Sequence, residues 1–311
     1  MKIPAIALSL PLLLAGCASF HKQVVMFQEK TTTFNAGKYS IHVISDYYSK
    51  AYLIESADSL VLVDTGAQGN TPKILEEIGR ARGKKLTLIF ITHGHFDHYA
   101  NERAVRDATG APICVHRADA KFMENGETPL AKARKLGLLM RAIFPIRDFI
   151  RPTPKTKPDV LAVDGTDLNR FGINAKVVHL PGHTPGSSML LLDEKLAFVG
   201  DLLSNPGKVR LQDLYADSWT DISNSFVKLK ALDPGWVFPG HGRYFEGARL
   251  AEAKDPLAIE TNPREDRRLS AAARKPVATG KVGKERFATD WLHVTQNAGI
   301  FGEVPLPAAA P

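Results

Sequence analysis

The stretch "LTLIFITHGHFDHYAN", residues 86–101, runs from a continuous apolar segment straight into His93, His95, Asp97 and His98. An apolar run of this length, rich in β-branched residues, predicts a buried strand. The polar residues after it are metal-capable. His93 and His95, one residue apart, can bind one ion from an extended or turning segment, whereas Asp97 and His98 point elsewhere and suit a second ion close by. Zinc takes imidazole nitrogen and carboxylate oxygen readily, and a catalytic zinc leaves a position open for water. Two metals roughly 3.5–4 Å apart can share a hydroxide and clamp both sides of a hydrolytic displacement.

Upstream of this stretch, "AYLIES" and "LVLVDTG" predict two strands parted by the turn-forming "ADS". "NTPKILEEIGRARG" predicts a helix, with Asn70 or Thr71 to cap it, Pro72 in its first turn and Gly83 to end it. Downstream, "AKVVHLPGH" predicts a strand ending near His183, "LAFVGD" one ending at Asp201, and "GWVFPGH" one ending at His241. "DISNSFVKLKALD" predicts a helix between the last two. Strands and helices in this order give an α/β layered protein. Each candidate ligand follows the end of a predicted strand, where loops can converge on one site. Asp201 is the best candidate for a carboxylate that bridges two ions.

The run "THGHFDH", followed by "LPGHTPGS", "FVGD" and "FPGHG", resembles the metallo-β-lactamase-fold hydrolases over roughly residues 40 to 250. That resemblance implies a four-layer αβ/βα sandwich with two Zn²⁺ at one edge. It implies His93, His95 and His183 on the first metal, Asp97, His98 and His241 on the second, and Asp201 between them. Asp64 in "VLVDTG" matches a structural acid that orients a ligand. The implied chemistry is hydrolysis of an ester, thioester, lactone or amide of a small molecule by a hydroxide bridging the metals, with Asp97 and Asp201 as catalytic groups. Thioesterases of the glyoxalase II type and acyl-homoserine lactonases carry the same seven ligands. The lactonases have Tyr where this chain has Ser204, and Ala100 replaces a usual Gly, which should crowd its turn slightly. A β-lactamase, an iron-dependent oxidoreductase and a metal-binding protein without turnover stay open as alternatives.

The remaining segments bear on place rather than chemistry. "MKIPAIALSLPLLLAGC" has one charge and too short an apolar run to span a bilayer. Its ending resembles the lipobox of bacterial lipoproteins, which implies a signal peptide over 1–16, a lipid on Cys17 and a tether over 17–38. Ala18 then favours the periplasmic face of the outer membrane in the bacterial envelope. Cys114 is left as an apolar strand residue with no disulfide partner. The catalytic domain is expected over 39–255. Within it, 117–170 departs in character as a basic, apolar insertion, whose helix Pro145 and "RPTPKTKP" should break. That insertion suits an ordinary surface helix, a lid or a patch on anionic lipid. The segment 256–311 is basic and predicted to be extended. Charge of +7 and pI near 9.3 suit anionic partners. No zinc-finger pattern, RNA-binding signature or long Lys/Arg run accompanies that charge, which argues against nucleic acid; oligomeric state is left open.

Overall fold

A computed structural model describes residues 31–255 apart from 47, 48, 131 and 135. The signal peptide, Cys17, most of the expected tether and the 256–311 segment lie outside the described residues. The first sheet holds β1 (Thr32–Ala36), β2 (Tyr39–Ser45), β3 (Lys50–Glu55), β4 (Ser59–Val63), β5 (Lys85–Ile91) and β6 (Ile113–His116). After the short β7 (Lys132–Ala133), β8 (Val160–Ala162) completes it, in the order β1-β2-β3-β4-β5-β6-β8. The second sheet holds β9 (Ala175–His179), β10 (Ser188–Leu192) and β11 (Leu196–Asn205), with β12 (Arg210–Leu211) paired to β11. A lone β13 (Tyr215–Ala216) pairs with β7, and β14 (Trp236–Gly242) and β15 (Phe245–Glu246) complete the second sheet as β15-β14-β11-β10-β9.

Period-two alternation sorts the side chains into layers. Leu88 and Phe90 of β5 and Leu190 and Leu192 of β10 meet in a central cluster between the sheets. Ile89 and Ile91, one residue off, face outward with Ile74 of helix α1 (Thr71–Arg80). The short α2 (Phe96–Tyr99) and α3 (Glu102–Thr109) cover the same face through Tyr99 and Val105. On the far side Met189 and Leu191 pack against Ile222, Phe226 and Leu229; these three lie on the last long helix, Trp219–Ala231. Three buried clusters separate four layers, the αβ/βα sandwich expected from the resemblance.

Several boundaries differ from the sequence expectation. Residues 32–36 are a strand and not tether: Phe34 packs its ring on Trp236, Phe238 and Tyr244 at centroid distances of 4.6, 5.5 and 5.2 Å. Burying such a side chain is worth about 1.5–3 kcal/mol, enough to recruit a polar strand to the edge. Residues 160–162 extend the first sheet rather than belonging to an insertion. Asn70 does not cap α1 with its side chain; its amide donates to the Thr65 carbonyl at 3.2 Å. β11 and β14 run past Asp201 and His241, because the ladder slips twice near Gly200, whose φ is +52°. Ala100 sits at φ −67°, an ordinary helical value that a methyl group tolerates.

Between β6 and β8 come α4 (Ala120–Asn125) and α5 (Leu136–Ile150). Pro145 lies inside α5 and does not end it. The helix stops only before Arg151-Pro152, where a following proline disfavours the helical conformation. After α5, the helix Trp219–Ala231 is α6, capped by Ser218 Oγ accepting from Asp221 N at 3.2 Å. Among the described residues no helix is long and apolar enough to cross a membrane.

Candidate metal centre

β4 pairs in parallel with β5, and β11 with β14, so their C-terminal ends share one edge of the sandwich. That edge gathers every expected ligand. One group of side chains is His93, His95, His183 and Asp201; beside it lie Asp97, His98 and His241. The ligand atoms of each group fall within 4.8 Å of one another. Asp201 joins the two groups. Its Oδ2 is 3.5 Å from His183 Nε2 and 3.1 Å from His241 Nε2, and its Oδ1 is 3.3 Å from His98 Nε2.

Outer hydrogen bonds orient three of the imidazoles toward the centre. The Pro129 carbonyl can only accept, so His95 Nε2, 2.8 Å away, carries the hydrogen and Nδ1 is left for the centre. By the same logic His98 donates from Nδ1 to Asp64 Oδ2 at 2.8 Å, while His183 Nδ1 lies 3.1 Å from both the Tyr215 carbonyl and the Gln212 amide nitrogen. The Thr92 hydroxyl donates to Asp64 Oδ2 at 2.8 Å, which makes it an acceptor for His93 Nδ1 at 3.1 Å. Asp64 thus sits behind the cluster, and its other oxygen takes the Thr92 N–H at 2.8 Å.

Charge is crowded here. Burial, with the neighbouring imidazoles, holds His93 well below its usual pKa and His183 at about 3. Burial also opposes protonation of His98 and His241. The carboxylates of Asp201 and Asp97, joined by Asp64 at His98, outweigh it and raise both, His241 to about 9. Burial disfavours the Asp201 anion, but His241 and His98 keep its pKa well below the carboxylate range.

Three fully buried atoms at the centre, His93 Nε2, His98 Nε2 and Asp201 Oδ1, make no hydrogen bond. A buried polar atom without a partner costs about 1–3 kcal/mol, so such a cluster needs an explanation. A divalent cation bound by imidazole nitrogen and carboxylate oxygen would satisfy all three, and the donor set suits zinc or iron. The residues therefore fit the implied metals. Gly240 leaves the room: a Cβ there would press on Asp201 Oδ1 and His98 Cε1.

A profile of the metallo-beta-lactamase superfamily matches residues 44–241. The chain belongs to that superfamily. A member from Haemophilus influenzae, a hydroxyacylglutathione hydrolase, is 30% identical over 186 residues, 59% of this chain and 80% of its own length. Among solved structures, the B3 metallo-beta-lactamase BLEG-1 aligns with a TM-score of 0.54 at 25% identity, over 67% of this chain and 93% of its own. A protein solved in a di-iron-bound form aligns with a TM-score of 0.51 at 25% identity, over 74% of this chain and 100% of its own.

Beside the centre opens a cavity of about 520 Å³. Its floor includes His95, Asp97, Asp201 and His241, and its walls Met140, Phe144 and Arg147 of α5 with Leu203, Leu211 and Leu214. Ser204 and Tyr215 also face it. Lys208 and Arg210, near the motifs in sequence, are exposed, whereas Tyr215 is half-buried at the cavity. Tyr99 is fully buried, its hydroxyl donating to the Glu127 carbonyl at 2.8 Å. His116 and His179 stack on each other at 4.0 Å, away from the ligands, and Cys114 is buried between the sheets.

Sequence reasoning missed Asp119 and Asn101. Asp119 accepts from Gly94 N, Thr184 Oγ1 and Gly186 N at 2.8, 2.6 and 2.6 Å, tying the first histidine loop to the "GHTPGS" loop. Asn101 donates to the Thr65 and Ala67 carbonyls, both at 2.8 Å, and accepts from Gly69 N at 3.1 Å. Only its place directly after "HFDHYA" could have drawn attention to Asn101.

Proposed function

We propose that the chain is a hydrolase that holds two zinc ions and cleaves an ester, thioester, lactone or amide. His93, His95 and His183 would hold one ion, Asp97, His98 and His241 the other, with Asp201 between them. The observation that carries this reading is Asp201: one buried carboxylate faces both histidine groups and keeps an oxygen without a hydrogen bond. Two bound divalent ions would supply Lewis acidity at the scissile carbonyl and an attacking water acidified to a pKa of about 7.

The chain's own groups do the rest. The hydrogen bonds behind His93, His95 and His98 hold those rings in orientation toward the centre. Asp97 Oδ2 lies 3.5 Å from His241 Nε2 and 3.7 Å from His98 Nε2 and faces the cavity, placed to accept a proton from the attacking water. Met140, Phe144 and the three leucines exclude water from an acyl group and hold it over the floor. The name of the Haemophilus relative favours a thioester, and that of the B3 neighbour a β-lactam. The di-iron neighbour supports a second reading, an iron-dependent oxidoreductase on the same ligands. The run ending at Cys17 supports export and lipid anchoring in the bacterial envelope.

Elemental analysis of the isolated chain, paired with a hydrolysis panel, tests this. The panel holds a chromogenic cephalosporin, an acyl-homoserine lactone, a glutathione thioester and a phosphodiester. The expected result is two zinc per chain and turnover of one carbonyl substrate, lost in Asp201→Ala while the far-UV spectrum is kept. Iron with no hydrolysis would favour the oxidoreductase, and full turnover by Asp201→Ala would remove Asp201 from the site.

A further inference from the structure

Helix α5 is turned inside out relative to an ordinary surface helix. Its inward stripe is Gly137, Met140, Phe144 and Arg147, spaced for one helical face. Phe144 meets Phe96 at 5.5 Å, Met140 Sδ accepts from the Tyr215 hydroxyl at 3.4 Å, and the Arg147 guanidinium covers the Phe96 ring at 3.7 Å. The opposite face should be polar. Instead it presents Leu138, Leu139, Ile146, Phe149 and Ile150, with Phe149 89% and Ile150 75% exposed, and Ile143 stands between this face and the cavity. With Ile143, these are six of the nine large apolar side chains exposed among the described residues, all on this one helix. A patch of this kind marks a surface that something covers.

Charge indicates what covers it. Between Glu127 and Asp159 the sequence has eight Lys and Arg against the single Asp148. Arg141, Arg151, Lys155 and Lys157 are exposed on or just beyond α5. Asp148 is committed to Arg147 at 2.5 Å. An apolar face on a helix with exposed cations on it and just beyond it matches the acyl–headgroup boundary of an anionic bilayer, and fits a second, equally basic copy of this chain poorly.

We propose that α5 docks on an anionic membrane surface through this face. A lipid at Cys17, as the sequence leads one to expect, would then be joined by a second attachment, and stable anchoring takes two signals. Because the inward stripe of the same helix walls the cavity, docking would set the cavity mouth beside the bilayer.

The test uses the full chain carrying Cys17→Ser and Phe149→Cys, labelled with an environment-sensitive fluorophore. Cys114 is buried and leaves the label specific. Vesicles rich in brominated phosphatidylglycerol should quench the label, phosphatidylcholine vesicles should do so at least tenfold less well, and high salt should weaken the effect. Adding Ile146→Asp and Ile150→Asp, exposed positions outside the cavity lining, should abolish quenching without moving the thermal midpoint. The label reports α5 itself, so tethering by the N-terminus alone does not give the signal. No quenching by phosphatidylglycerol overturns the proposal. So does a label that becomes buried without lipid as protein concentration rises, which would assign the face to a second copy.

Discussion

Asp64 Oδ2 and His98 Nδ1 are 2.8 Å apart, both side chains buried, and Asp64 reaches that position with a left-handed backbone, φ +57°. Few residues other than Gly, Asn and Asp tolerate that conformation. The strained backbone aims one carboxylate at Thr92 and His98 together, linking the end of β4 to the metal motif after β5.

Asp64→Asn keeps a side chain that accepts φ > 0 and removes the charge. His98 loses a full acceptor for its Nδ1 hydrogen and is a poorer, less well-oriented ligand. Metal affinity should fall about 10–100-fold, with the fold retained. Competition with a chromogenic chelator measures this; unchanged affinity would mean that Asp64 holds the loop and leaves the ligand alone.

Asp119 predicts a loss of a different kind. It fastens the His93–His98 loop to the loop carrying His183 through three donors from two segments. Asp119→Ala leaves the Gly94 and Gly186 N–H groups and the Thr184 hydroxyl with lost bonds, each worth about 0.5–1.5 kcal/mol and more where the charge contributes. Thermal unfolding should show destabilisation of roughly 2–4 kcal/mol, and turnover should fall even when metal is saturating.

The contrast between these two acids shows what the sequence could and could not disclose. The candidate ligands are legible because each stands in a short motif directly after an apolar strand, and the strand periodicity alone sorts Leu88 and Phe90 from Ile89 and Ile91. Asp119 has no such signature. It lies 22 residues past Asp97 in a stretch of mixed charge, and its partners Thr184 and Gly186 come from the other half of the chain. A tertiary hydrogen bond leaves no local period. Strand β1 was misread for a related reason: its polar residues face solvent, and only Phe34 reports the packing.

Gly240 offers a steric test of the ligand geometry. A methyl group at this position would meet Asp201 Oδ1 and His98 Cε1, both buried on all sides. Neither can withdraw without leaving its partners. Gly240→Ala should therefore lower metal occupancy below one equivalent per chain, read by elemental analysis, while the hydrophobic layers stay intact. Full occupancy would show that β14 can shift to absorb the methyl group.

Glu102 carries a pH dependence separate from the metal ligands. It is wholly buried at the start of α3, neither carboxyl oxygen has a hydrogen-bond partner, and burial raises its pKa to about 7. Between about pH 4.5 and 7 the folded protein keeps a proton that the unfolded chain releases, so this group disfavours folding increasingly as pH rises through that window. A displacement from 4.5 to about 7 corresponds to at most about 3 kcal/mol. Glu102→Gln cannot ionise. Its thermal midpoint should match that of the parent at about pH 5 and exceed it increasingly up to about pH 8, where the difference levels off. A difference that stays constant across that range would mean that Glu102 is already neutral, or already solvated, throughout.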